Sequence, residues 1–138
     1  MTGSEADRIW YLDTSVVLRL ALGHSQAAGA WFDRGCQQGD AFVASRLTAL
    51  ESIRVLRREG LDVDLAADVL DEATLLSVDD ALVVEAAAIR SHVKTLDALH
   101  LASAARVGVD AVTVVTHDAT LLQAARSLGF DVHDPVTD

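Results

Sequence analysis

Short β-rich runs alternate with Ala/Leu-rich stretches of helical spacing along the whole chain, and this alternation limits the fold more than any other feature. A strand, a helix and another strand in series favour parallel pairing, because the helix carries the chain back to the end where the next strand must start. The strongest strand candidate is 111–115, Ala-Val-Thr-Val-Val, continuous and apolar as a strand covered on both faces should be. Residues 8–12, 41–44 and 75–78 are further candidates, and 130–133 is a weaker one at an edge. Helical spacing runs through 25–38, 45–59, 64–73, 80–91, 96–107 and 119–128. Ser45 is the expected N-cap of its helix, and Gly60, Gly108 and Gly129 stop three of them. The expected fold is an α/β three-layer sandwich, with a central, mainly parallel sheet flanked by helices.

A chain of 138 residues, 51% hydrophobic with one proline, suits a single domain over 1–138 with its own core. Residues 1–7 read as a flexible tail. A lone cysteine, Cys36, allows no intrachain disulfide and suits a reducing cytoplasm; it reads as an incidental helix residue. No run is long and apolar enough to span a membrane, and the acidic start lacks the pattern of a signal peptide.

The formal charge of −10 argues against a whole-surface grip on nucleic acid. Its distribution is uneven. Residues 59–85 hold nine acids and no Lys or Arg, whereas Arg46, Arg54, Arg57 and Arg58 crowd into one helical segment. The arginines read either as a solvated face or as a local receiver for a polyanion, and charge alone leaves both open.

Four acids are placed unlike ordinary surface charges. In an open α/β sheet, ligands bind beyond the carboxyl ends of the strands. Asp13 ends the first strand and is followed by Thr14 and Ser15; an N-cap accounts for one of these three residues, not the run. Glu51 flanks the apolar stripe of its helix, where a carboxylate needs a partner, which could be a surface ion pair with Arg54 or a bound cation. Asp97 lies in the first turn of a helix that is otherwise nearly all apolar. Asp118 follows the strand at 111–115 through Thr116 and His117 and opens the last helix; alone it reads as an N-cap, but it exits a strand expected beside that of Asp13.

Converging carboxylates raise each other's pKa unless a hard cation neutralises them. Oxygen-only donors suit Mg²⁺ or Mn²⁺, and such ions activate water against a phosphodiester. There is no Cys/His cluster for zinc, no Walker A lysine loop and no Gly-rich dinucleotide turn. His100, three residues after Asp97, either lines the site or is a packed residue with one hydrogen bond. His117 reads as an exposed turn residue, and Ser45 and Thr116 as a cap and a strand-end residue that could also orient water or metal.

Tyr11-Leu12-Asp13-Thr14-Ser15, Glu51 within a helix, Leu96-Asp97-Ala98-Leu99-His100-Leu101-Ala102 and Val115-Thr116-His117-Asp118 follow one another in an order that resembles the PIN-domain family. The likeness spans about Arg8 to His133, and in size the chain is similar to VapC toxins of type II toxin–antitoxin pairs. The resemblance implies a Mg²⁺- or Mn²⁺-dependent endoribonuclease, a homodimer, held inactive by a small VapB-like antitoxin. It implies that Asp13, Glu51, Asp97 and Asp118 are the metal ligands and catalytic acids, supported by Thr14, Ser15 and Thr116, with Asp118 the member the family varies most. In-line attack by water would leave a 5′-phosphate and a 3′-hydroxyl, without the RNA 2′-hydroxyl as nucleophile. A haloacid-dehalogenase-type phosphohydrolase would need a second acid where Ser15 stands, and a phosphate-receiver domain lacks its acidic pair and lysine here. A catalytically silent PIN-like RNA- or protein-binding module is the remaining alternative.

Overall fold

A computed structural model describes residues 8–136; the expected tail at 1–7 lies outside them. Five strands form one sheet: β1 (Ile9–Leu12), β2 (Ala41–Ser45), β3 (Ala73–Leu76), β4 (Val112–Val115) and β5 (Asp131–His133). Their order is β3-β2-β1-β4-β5, and all four pairings are parallel. The chain therefore builds outward from β1 to one side, then returns to build outward on the other. This reversal puts the carboxyl ends of β1 and β4 side by side, the switch point beside which such sheets hold a crevice for ligands.

Alternation along β1 assigns its side chains to two faces. Trp10 and Leu12 pack into one core with Val16 and Val17 of α1 (Thr14–Leu22), Trp31 and Phe32 of α2 (Gln26–Gln38), and Leu56 of α3 (Arg46–Arg58). Tyr11 faces the other way. It packs with Leu101 and Ala104 of α6 (Thr95–Val107) and with Leu121 and Ala125 of α7 (Ala119–Ser127). Leu82 and Ala86 of α5 (Asp80–Ala87) pack on Ala102 of α6. Arg106 ties the same two helices together, reaching Asp79 and Glu85 at 2.8 Å each.

Three boundaries differ from the sequence reading. The helix expected at 64–73 is a 3₁₀ turn (Val63–Ala66) followed by the short α4 (Ala67–Leu70), because the chain must reach β3 earlier than expected. That strand spans 73–76 rather than 75–78, since Ser45, the last residue of β2, pairs with Leu76 and leaves Ser77 and Val78 without a neighbour. Helix α5 ends at Ala87, and Ile89 and Val93 of the following segment pack into the second core instead. Ser45 caps α3 as expected, accepting from the Leu47 amide at 3.0 Å.

Candidate active site

Each of the four acids reaches the crevice from a different element. Asp13 occupies the N-cap position of α1, yet its side chain caps nothing. It is 6% exposed, and its Oδ2 accepts instead from Ser15 Oγ at 2.9 Å and Thr116 Oγ1 at 2.8 Å. The backbone is fixed as well, with the Asp13 amide bonded to the Val115 carbonyl at 3.0 Å, so β4 sets where the carboxylate starts. Thr116 also accepts from the Asp118 amide at 3.0 Å. One hydroxyl thus links the ends of β1 and β4.

Glu51 makes no ion pair with Arg54. Its Oε1 accepts from Thr14 Oγ1 at 2.5 Å and lies 2.9 Å from His100 Nε2. Burial pushes the Glu51 carboxyl up, and the hydrogen bonds from His100 and Thr14 reverse this, leaving its pKa below the ordinary value. His100 is 2% exposed; its Nε2 also stands 3.7 Å from Asp13 Oδ1, and its Nδ1 lies 2.7 Å from the Tyr11 hydroxyl. Both ring nitrogens are engaged, so the single hydrogen bond of a merely packed histidine does not describe it.

Asp97 is half-buried in the first turn of α6, one helical turn before His100. Its pKa is raised, first by burial and then by the charges of Asp118 and Asp13. Asp118 is exposed and does cap α7, accepting from the amides of Thr120 at 2.8 Å and Leu121 at 3.4 Å. Among the described residues, no Lys or Arg forms an ion pair with any of the four acids.

Also among the described residues, no group of three or more His, Cys, Asp or Glu side chains is arranged so that it could hold a metal ion. A hydrated Mg²⁺ does not require such a group; it binds through one or two carboxylates and retains water. The carboxylate donors present, none ion-paired with a Lys or Arg among the described residues, fit an ion of that kind and do not fit a zinc cage.

His117 is not the exposed turn residue its sequence context suggested. Its side chain is 10% exposed, Nδ1 lies 2.6 Å from Asp134 Oδ1, and its amide donates to Ser15 Oγ at 3.2 Å.

A family model for the PIN domain matches residues 10–127. The chain belongs to the PIN-domain family. It is 32% identical over 127 residues to ribonuclease VapC46 of Mycobacterium tuberculosis strain H37Rv, and 29% identical over 130 residues to ribonuclease VapC47 of strain CDC 1551. Each alignment covers 91% of this chain and 96% of the relative. Solved structures share the PIN fold at lower identity. The VapBC2 complex of Rickettsia felis, bound to a promoter DNA fragment, gives a TM-score of 0.69 at 12% identity over 91% of this chain and 98% of that one. FitAcB from Neisseria gonorrhoeae gives 0.69 at 21% identity, over 91% and 97%.

Within this PIN domain, Arg46, Arg54, Arg57 and Arg58 are all exposed on α3, on the side away from buried Thr48, Ser52 and Leu56. Arg58 pairs with Glu59 at 3.2 Å. In the sequence Tyr11 reads as a strand residue and as the first of the Tyr11-Leu12-Asp13-Thr14-Ser15 run, with no role for its hydroxyl. The signal available was its hydroxyl, because a tyrosine wholly buried in a central strand must find a partner there, and alternation turns position 11 toward α6 and His100.

Proposed function

We propose that this chain is a metal-dependent endoribonuclease, the toxin of a toxin–antitoxin pair, and that a small VapB-like antitoxin neutralises it. The observation that carries the reading is the convergence of Asp97 with Asp13 and Asp118 at the ends of β1 and β4; after burial, their charges help to raise the Asp97 pKa although His100 and Lys94 act against them. Its relation to ribonucleases VapC46 and VapC47 and the fold it shares with toxin–antitoxin complexes support the same reading. No helix among the described residues is long and apolar enough to cross a membrane, and a cytoplasmic setting accords with an RNA substrate.

Asp13, Asp97 and Asp118, with Glu51 beside them, are the residues that would hold Mg²⁺ or Mn²⁺. When bound, such an ion neutralises the acids, receives phosphate oxygens and lowers the pKa of water. The chain's own contribution is orientation. Ser15 and Thr116 keep the Asp13 carboxylate in one rotamer, Thr14 and His100 do so for Glu51, and none of these groups must reorganise when the phosphate arrives. Glu51, ionised and aimed beside Asp13, is the group placed to accept a proton from attacking water. Arg46, Arg54, Arg57 and Arg58, on the same helix as Glu51, meet the RNA backbone. A cavity of about 410 Å³ near Asp118, lined in part by His92, Thr120 and Gln123, offers further polar contacts. A homodimer would form through the apolar surface of α5 and α6, where Val83, Val84 and Leu96 are exposed.

The test is incubation of the purified chain with total cellular RNA in Mn²⁺ or Mg²⁺, with new 5′ ends mapped. Discrete cuts bearing 5′-phosphates are expected, absent in EDTA and in Asp97→Asn. Cuts that persist in EDTA, or that leave 2′,3′-cyclic phosphates, would overturn the reading.

A further inference from the structure

Glu51 is the one site acid held by a chain of groups that runs back into the core. Tyr11 is fully buried in β1, with its ring edge-on to His100 and the two centroids 5.9 Å apart. Its hydroxyl lies 2.7 Å from His100 Nδ1, and the far side of the same ring presents Nε2 to Glu51 Oε1 at 2.9 Å. Thr14 Oγ1 donates to that same oxygen. The four residues belong to β1, α6, α3 and α1, so the chain ties together the elements that meet at the crevice.

Donor and acceptor roles follow from chemistry. A neutral imidazole has one N–H and one bare nitrogen, and whichever hydrogen bond one nitrogen makes fixes the other. Burial and the Asp13 charge hold the Tyr11 phenol protonated, so its O–H is available to donate to Nδ1. In a neutral ring the Nε2–H then faces Glu51, which as a carboxylate can only accept. Reversing the tautomer would aim a bare nitrogen at a carboxylate oxygen and leave two acceptors facing each other.

We propose that His100, locked as the Nε2–H tautomer by the Tyr11 hydroxyl, is a positioning residue that fixes the Glu51 carboxylate beside Asp13. His100 does not touch the phosphate or the ion; it acts through Glu51. The role rests on the reading of Glu51 as a site acid, whereas the hydrogen-bonded arrangement stands independently of it. Such supports of a metal-site carboxylate commonly change metal affinity by about 10–100-fold when removed.

Two measurements on the metal-free full chain and its Mn²⁺ complex decide it. In long-range ¹H–¹⁵N spectra, His100 should show a single Nε2–H tautomer, and Tyr11→Phe, which removes one oxygen and no packing volume, should abolish that preference. A wild-type ring that is Nδ1–H, doubly protonated or averaged between tautomers overturns the proposal, whether or not the chain cuts RNA. In calorimetric titration with Mn²⁺, His100→Phe should weaken binding about tenfold or more, His100→Gln should restore most of it by supplying an N–H at the Nε2 position, and His100→Phe should add nothing in a Glu51→Gln background. Losses that add, or a His100→Gln no better than His100→Phe, make His100 a packing residue only and overturn the proposal. If the wild type takes up no Mn²⁺, the metal reading of the site fails while the tautomer result still judges the support of Glu51.

Discussion

Asp13 enters the crevice from the end of β1 with its amide bonded to β4 and its carboxylate bonded to two hydroxyls, whereas Asp97 arrives from the first turn of α6 with no hydrogen bond to its carboxylate among the described residues. The same residue type is thus supported on one wall and, on the other, penalised by burial and by its acidic neighbours, which His100 and Lys94 offset only in part. The difference shows what a site of this kind asks of its fold. One wall must fix geometry before substrate arrives, and the other must hold charge that is unfavourable until something neutralises it. Residues selected for such charge are expected to cost stability, while those that fix geometry contribute it.

The sharpest way to break this comparison is to remove one charge from each wall and measure cleavage and stability separately. Asp13→Asn and Asp97→Asn should both lose metal-dependent RNA cutting by more than about 100-fold, since either loss exceeds the effect of a second-sphere change. Their stabilities in EDTA should move in opposite directions. Asp13→Asn keeps one oxygen that can accept from Ser15 and Thr116 but turns an amide NH₂ toward His100 Nε2, which stands 3.7 Å from Asp13 Oδ1, and should cost about 1–2 kcal/mol. Asp97→Asn should be neutral or stabilising at pH 7, because it removes a charge penalised by burial and by Asp118 and Asp13. The pH dependence follows from linkage. A folded-state pKa above the ordinary 3.8 means that the folded protein binds the proton more tightly, so wild-type stability falls as pH rises through the raised value. The advantage of Asp97→Asn should therefore be full above that value and vanish near pH 3. Glu51 lies on the supported wall and should behave in reverse. Its lowered pKa contributes stability above the ordinary 4.5 that is lost as pH falls through the folded value, so Glu51→Gln should be destabilised at neutral pH. Chemical denaturation of the three variants across pH 3–8 checks all of this, and a stabilised Asp13→Asn would remove the distinction between the walls.

Much of the supported wall was legible in the sequence because it lies within short stretches of chain. Asp13-Thr14-Ser15 states a strand end and two hydroxyls in three residues, and the continuous apolar run into Thr116 places a second strand end beside it. The parallel fold was legible for the same reason, since period-2 and helical patterns are local. Boundaries failed where tertiary pairing decided them, as at β3, whose extent is set by the end of β2 rather than by its own residues. The Glu51–His100–Tyr11 chain was hidden for a different reason. Those residues are 40 and 89 positions apart from Tyr11, and nothing local distinguishes a histidine packed among leucines from one bonded at both nitrogens. Glu51 shows a related limit: its own segment leaves a pair with Arg54 and a bound cation equally open, and the fold supplies Thr14 and His100 as its partners.

A smaller effect should sharpen the role of the hydroxyl that joins the two strand ends. Thr116→Val keeps the shape of the side chain and removes both the bond to Asp13 Oδ2 and the acceptor for the Asp118 amide. It should cost about 1–3 kcal/mol, since a buried carboxylate oxygen and an amide each lose a partner, and it should reduce kcat more than RNA affinity. Ser15→Ala also loses a bond to Asp13 Oδ2 and an acceptor for the His117 amide, but it should be milder, because Ser15 is only partly buried where Thr116 is fully buried. If Ser15→Ala proves the worse of the two, β4 is not what sets the Asp13 rotamer, and Asp13 is positioned by its own helix.

The smallest effect belongs to the arginines on α3, whose two readings, solvated face or receiver of a polyanion, are separated by salt dependence. Each exposed arginine that meets a phosphate should contribute about one unit to the slope of log affinity against log salt concentration, slightly less on single-stranded RNA. Arg54→Ala and Arg57→Ala should each lower that slope while leaving the Mn²⁺ affinity and the folding stability nearly unchanged, because both side chains are exposed and neither is ion-paired among the described residues. Arg58→Ala should do less, since Glu59 already offsets that charge at 3.2 Å. The ranking matters more than the size. Equal losses at all three positions would mean a diffuse field acting from the whole helix, whereas a loss confined to Arg54 and Arg57 would place the RNA backbone along the outer face of α3 and lead it toward Glu51 on the flank of the same helix.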